Sequence, residues 1–168
     1  MRSCELAVAQ TADGYLVRIE GHATLQYSPS FSAFAVQAFE ASPPSSITVD
    51  LRSCQYLDST FLGCLVRLHR RAAGAPPASL SVIVDDSGRR RLLAPTRLDA
   101  VLRLTDVAPE VLGSFVPIRR GQLSETQFGR HVAESHEALA ELPCDHARLF
   151  RDIADRLARE LQNRPSCI

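Results

Sequence analysis

Short runs rich in β-branched residues alternate with stretches of helical periodicity over the first two thirds of the chain, and this alternation restricts the fold most. The clearest strands are Ile47–Leu51 and Leu80–Val84, which are apolar and bounded by turn residues. Two more strands are predicted at residues 5–10 and 15–20, joined by a turn that ends in Asp-Gly. Because Gly14 tolerates the positive φ of such turns, the chain is predicted to begin with a β-hairpin.

Helical patterns fill the intervals between these strands. A serine that supplies a capping hydroxyl and a proline at the first helical position open the first of them, at residues 28–39. A second helix follows residue 58, a short one lies within residues 89–94, and a last strand is predicted at residues 101–104. The order β-β-α-β-α-β-α-β predicts an open α/β sheet.

The chain changes character after Pro117, because no strand pattern follows it. We therefore predict two domains, an α/β domain at residues 1–117 and a helical C-terminal extension at residues 118–168. The extension is expected to be an α-helical hairpin, with helices in residues 124–142 and 143–163.

Two patterns describe the extension further. Ser124 and Gln127 form a predicted capping box at the start of its first helix. Its second helix carries an apolar stripe wide enough to need a cover. The stripe contacts either its own domain, a partner or a second copy in a homodimer. Its members are Leu149, Ile153, Leu157 and Leu161.

Composition and charge exclude several classes of protein. Nineteen basic residues balance nineteen acidic ones, so the net charge gives no long-range attraction to nucleic acid or to an anionic membrane. The chain lacks an apolar run of membrane-spanning length and a secretory signal, and we expect a soluble, cytoplasmic protein without direct membrane insertion. Five scattered cysteines without a C-x-x-C pair argue against a disulfide framework and a zinc ribbon.

The segment with most chemical information is Asp58 and Ser59, where the loop leaving a buried strand becomes the first turn of a helix. Unpaired backbone N–H groups and the positive end of the helix dipole meet at such a position. A phosphate on Ser59 would gain roughly 0.3–1 kcal/mol from this field. The same two residues would also make an ordinary helix cap.

Residues 58–63 read Asp-Ser-Thr-Phe-Leu-Gly and resemble the Asp-Ser-x-Gly-Leu-Gly motif of the STAS domain family, in particular of bacterial anti-sigma factor antagonists. The likeness extends in element order over about residues 5–115 and includes Gly21 after the second strand. It implies a STAS-like open mixed β-sheet with helices packed on it. The C-terminal helical hairpin lies outside the family pattern.

The resemblance also implies a function. The chain would be a regulatory protein without catalytic residues, cofactor or metal, and Ser59 would be its phosphoacceptor. A GHKL-type serine kinase that is also the anti-sigma factor would phosphorylate Ser59, and a PP2C-like phosphatase would restore it. The partner would contact the rest of the motif, namely Asp58, Thr60, Phe61, Leu62 and Gly63.

Phe61 departs from the family motif, which has glycine at this position. Either its ring is exposed and anchors an interface, or it packs inward against the helix at residues 31–39. Partner fit is expected to differ from that of the family in either case.

Two other functions stay open. A STAS domain that is never phosphorylated would act as an adaptor or scaffold subunit of a transporter or signalling complex. An enzyme would need a base beside Ser59, for which His22 and His69 are the candidates. A Gly-x-Ser-x-Gly elbow is missing, which makes hydrolase chemistry an unfavourable interpretation.

Histidines and a cysteine cluster in the extension. His131 and His136 are five residues apart, about 140° around a helix, and are not expected to share a face with each other. His146 and Cys144 follow them in the chain. We therefore predict no metal site there.

Overall fold

A computed structural model of the chain describes residues 3–163, and its first two strands form the predicted hairpin. β1 (Glu5–Thr11) and β2 (Gly14–Ala23) pair antiparallel. Gly14 has a φ of 153°, and a Cβ atom there would lie 2.0 Å from the backbone oxygen of Ser46. Glycine is therefore needed for the turn and for the close approach of the next strand. Cys167 and the outer ends of the two predicted domains lie outside the described residues.

The sheet is mixed and open. Its remaining strands are β3 (Ser46–Asp50), β4 (Cys54–Leu57), β5 (Leu80–Ile83), β6 (Arg103–Thr105) and β7 (Val116–Pro117). The strand order is β6-β5-β3-β2-β1-β7, and β4 pairs with the end of β2. β2, β3, β5 and β6 run parallel to their neighbours in this series, whereas β1 pairs antiparallel with both β2 and β7.

Helices complete the architecture. They are α1 (Ser28–Phe39), α2 (Ser59–Ala73), the single turn α3 (Asp86–Gly88), α4 (Glu125–Ala140) and α5 (Ala147–Gln162). Further helical turns follow α3 at Arg89–Leu93, Ala94–Thr96 and Leu98–Ala100. α1 and α2 pack on the sheet, and their apolar faces share its core. The predicted open mixed sheet with packed helices is confirmed.

Three local details differ from the predictions. β4 was expected to be a connection, but the left-handed Gly21 (φ 77°) and a register shift after it turn the end of β2 towards β4. β7 was not predicted, because two residues carry no periodicity. Ser28 does not cap α1, since Tyr27 precedes the helix and the Ser28 hydroxyl bonds elsewhere.

The C-terminal helices form the predicted hairpin and add a third layer. α4 packs on α2, and α5 packs on α4. The capping box of Ser124 and Gln127 is confirmed, with Gln127 N donating to Ser124 Oγ at 3.2 Å and Ser124 N to Gln127 Oε1 at 3.0 Å. The hairpin therefore covers its own domain through α4.

The apolar stripe of α5 is only partly covered. Ile153, Leu157 and Leu161 are partly buried, but Leu149 is 55% exposed. Phe150 and Ala154, beside the stripe, are buried. A homodimer through this helix stays a prediction. Among residues 3–163, no helix combines the length and apolar character needed to cross a bilayer.

Candidate functional site: the start of helix α2

Asp58 lies between β4 and α2 and fixes the start of the helix. Its Oδ1 accepts a hydrogen bond from Phe61 N at 2.8 Å, as a helix N-cap does. Its Oδ2 accepts one from Leu25 N, in the loop after β2, at 2.6 Å. Burial raises the pKa of Asp58, and these two hydrogen bonds oppose the rise. Asp58 is therefore a structural cap that also holds a neighbouring loop.

Ser59 is the first residue of α2 and is partly exposed. Its Oγ lies 2.9 Å from Nε2 of His136 on α4. His136 Nδ1 lies 2.9 Å from the carbonyl oxygen of Val132, which only accepts, so Nδ1 carries a proton. When the imidazole is neutral, Nε2 therefore accepts a hydrogen bond from the Ser59 hydroxyl.

The rest of the motif faces inward. Thr60 is 2% exposed, Leu62 is 6% exposed, and Gly63 is buried. Phe61 is fully buried, and its ring stacks on that of Phe31 with centroids 5.5 Å apart. This decides between the two interpretations of Phe61: it packs inward and fills the space between α1 and α2.

α4 covers this part of α2, and the backbones of the two helices lie close together at Gly63 and Ser135. A Cβ atom on Gly63 would lie 2.0 Å from the carbonyl oxygen of Ser135, which is itself fully buried. Thr60, Phe61, Leu62 and Gly63 are therefore not presented to a partner in this arrangement. Their role as a contact surface stays a prediction. For Gly63 it requires α4 to move, whereas Phe61 is buried against Phe31 of α1.

Polar contacts extend along the same interface. Arg67 pairs with Glu134, and Arg70 pairs with Glu141. The Ser28 hydroxyl, at the start of α1, lies 2.8 Å from Nε2 of His131. Burial, and then the nearby Arg67 guanidinium, lower the pKa of His131 to about 4, so this histidine is neutral near pH 7.

The sequence did not identify these histidines as part of the site. We predicted that His131 and His136, about 140° apart on a helix, do not share a face. Each meets a different serine, because α4 crosses the starts of both α1 and α2. His22 instead lies beside Tyr56, with ring centroids 5.7 Å apart, and His69 Nδ1 is buried without a hydrogen-bond partner. A contact between residues 77 positions apart leaves no local signal.

The geometry also bears on chemistry at this site. A serine hydroxyl hydrogen-bonded to a histidine nitrogen is the arrangement that activates a nucleophile. The surface cavities within residues 3–163 include four of about 350–510 Å³, and neither Ser59 nor His136 lines these four. Within residues 3–163, no three metal-ligating side chains come together.

The comparisons with known proteins agree with this architecture. The family model described as "Mlab, STAS domain" matches residues 6–106. A crystal structure of an anti-sigma factor antagonist from Mycobacterium paratuberculosis superposes with a TM-score of 0.52 and 19% identity, covering 62% of this chain and 87% of that chain. At this identity the likeness shows a shared fold. No curated protein matches significantly.

The matched residues include β2 to β6, all but the first residue of β1, α1, α2 and the Asp58–Gly63 motif, and they end before β7 and α4 begin. The C-terminal helices are thus an extension beyond the family domain. With most of its length matched and the same fold in the superposed structure, the chain belongs to the STAS domain family.

Proposed function

We propose that this chain is a regulatory protein of the anti-sigma factor antagonist kind, without catalytic activity of its own. It binds a GHKL-type serine kinase that also serves as the anti-sigma factor, and phosphorylation of Ser59 ends this binding. A PP2C-like phosphatase removes the phosphate from Ser59 and so restores binding.

The position of Ser59 carries the proposal. Ser59 is the first residue of α2 and is partly exposed, in a chain of the STAS family that shares its fold with an anti-sigma factor antagonist. The start of a helix accommodates an added phosphate, because the dipole and the N–H groups favour negative charge there. The switch therefore needs no refolding of the sheet.

The negative charge of the phosphate would weaken partner binding. A phosphate adds a charge of about −1.5 to −2 near pH 7, directly beside the Asp58 carboxylate. A partner surface that fits the neutral hydroxyl would meet charge repulsion and a desolvation cost. A penalty of about 4 kcal/mol weakens binding roughly a thousandfold, which is enough to exchange partners.

The direct test is phosphorylation by GHKL-type serine kinases from the same organism, with ATP and mapping of the phosphate by mass spectrometry. We expect phosphate on Ser59 of the native chain and of Ser53→Ala, which removes an exposed hydroxyl in the loop before β4. Ser59→Ala should stay unmodified. Full phosphorylation of Ser59→Ala would overturn the assignment.

A second function follows from one observation, that the Ser59 hydroxyl already has a partner in His136. In that case the chain is an adaptor or scaffold subunit of a transporter or signalling complex, and Ser59 stays unmodified. Its complex would persist through purification, and Ser59→Asp would not weaken it. Loss of the complex in Ser59→Asp, but not in the uncharged Ser59→Asn, would favour the phosphorylation switch.

A further inference from the structure

α4 lies on the same part of α2 that the proposed function assigns to the partner. The two helices approach closely enough for Gly63 to meet the backbone of Ser135 without space for a side chain. Ser59, at the start of α2, is hydrogen-bonded to His136, which lies on α4 next to Ser135. A partner that contacts the motif as far as Gly63 must therefore displace α4.

The charges of this interface form a regular pattern. Arg67 and Arg70 lie about one turn apart on α2, and Glu134 and Glu141 lie two turns apart on α4. Each arginine pairs with one glutamate. Arg67 also has a buried guanidinium nitrogen, Nη1, without a hydrogen-bond partner. Removing α4 would leave Arg67 and Arg70 without their carboxylate partners, on a surface suited to an acidic helix.

The contacts that hold α4 differ in strength. The two ion pairs are partly exposed, with side-chain exposures of 32–49%, so each favours the closed arrangement by less than about tenfold. Apolar burial adds to this, since Leu139 is fully buried and Leu142 and Phe150 are 5% and 8% exposed. An external helix that reproduces both kinds of contact would compete with α4.

We propose that the α4–α5 hairpin is an internal competitor that closes the docking face of α2, and that the element replacing it is a partner helix of matching chemistry. This helix presents two carboxylates seven residues apart, with a small residue next to the first, as α4 does with Glu134, Ser135 and Glu141. The inference rests on the proposed function and names the regulation of the same site.

The closed arrangement has a measurable consequence for Ser59. A kinase must reach the Oγ atom of Ser59, which is hydrogen-bonded to His136 on α4. If the open arrangement is populated at about 1%, both phosphorylation and partner binding are reduced about a hundredfold relative to the open chain.

The test uses the full chain with substitutions confined to α4, so that the face of α2 is unchanged. Glu134→Arg with Glu141→Arg replaces both ion pairs by repulsion. The matched control is Glu137→Arg, which reverses an exposed charge on the same helix at the cavity of about 350 Å³ between α4 and α5. Leu139→Ala opens the interface by a different route, through lost apolar contact.

The probe is a fluorescent synthetic peptide of residues 124–142, followed by anisotropy. We expect it to bind the double variant and Leu139→Ala at least tenfold more tightly than the native chain or Glu137→Arg. A peptide that carries both Glu→Arg changes should not bind. Equal binding of the native peptide to all four proteins would overturn the inference.

Ser59 phosphorylation separates this inference from the proposed function. Opened variants should be phosphorylated at least tenfold faster than the native chain. Equal rates, in variants whose α4 amides exchange faster than those of the native chain, would overturn the internal competitor and leave the phosphorylation switch intact. Peptide binding as expected, with Ser59 unmodified in every variant, would reject the phosphorylation switch and leave the competitor intact.

Discussion

Asp58 joins two parts of the chain that are 33 residues apart. One carboxylate oxygen caps α2 through Phe61 N, and the other binds Leu25 N in the loop after β2. The cap was one of the two interpretations that the sequence left open, because aspartate before a helical pattern is a local signal. It did not predict the second bond, nor His136 beside Ser59, because those contacts depend on how distant segments pack.

Replacing Asp58 tests this double role. Asp58→Ala leaves both backbone N–H groups without their acceptor, and we expect the free energy of unfolding to fall by about 2 kcal/mol. Asp58→Asn keeps one good acceptor oxygen and should lose about half as much. Urea unfolding measures both. Native stability of Asp58→Ala would contradict the role of this carboxylate in holding the loop.

Gly63 tests the close approach of α2 and α4. In Gly63→Ala the new methyl group meets the Ser135 carbonyl oxygen, so α4 must shift, and we expect a loss of about 1–3 kcal/mol. Amide hydrogen exchange should show faster exchange in α4 and α5 than in the sheet. Gly74→Ala is the control, because its nearest neighbour would be an ordinary contact of 3.5 Å. Unchanged exchange of α4 in Gly63→Ala would contradict the arrangement.

Elements whose turns, caps or apolar spacing form a local sequence pattern were predictable. Elements that depend on pairing with distant segments were not. The β1–β2 hairpin, α1, α2, α4 and α5 follow from local patterns of turns, caps and apolar spacing. β4 and β7 depend on pairing with strands elsewhere in the chain. The docking of α4 on α2 belongs to the second kind, since it depends on Gly63 meeting Ser135 across the fold.

The pairing of α4 with the start of α1 predicts a dependence on pH. His131 on α4 faces Ser28 and the Arg67 guanidinium, and its pKa of about 4 lies below the ordinary value of 6.5. The folded chain therefore binds fewer protons than the unfolded chain between these values. The contribution to stability is complete above pH 6.5 and is lost as the pH falls through 4.

We expect His131 to account for up to about 2 kcal/mol of lost stability between pH 7 and pH 5. His131→Gln, which does not titrate, supplies the comparison. Urea unfolding of both proteins at the two pH values isolates this contribution from that of other groups. Parallel losses in the two proteins would show that His131 is not held neutral.

At the scale of the whole molecule, the chain is a three-layer structure. The mixed sheet up to β6 and its helices α1 and α2 are the family domain, and the α4–α5 hairpin is an additional layer on α2. The sequence predicted both parts and their order. The sequence left open whether the hairpin packs on its own domain. An apolar stripe indicates that a helix face is buried but not which surface buries it.

The affinity of the chain for the kinase that phosphorylates it, with and without phosphate on Ser59, tests the central claim most directly. We predict that homogeneous Ser59-phosphorylated chain binds at least a hundredfold more weakly than unmodified chain in calorimetric titration with the kinase and ADP. Equal affinities for the two forms would contradict the account, because negative charge at the start of α2 would then not control partner binding.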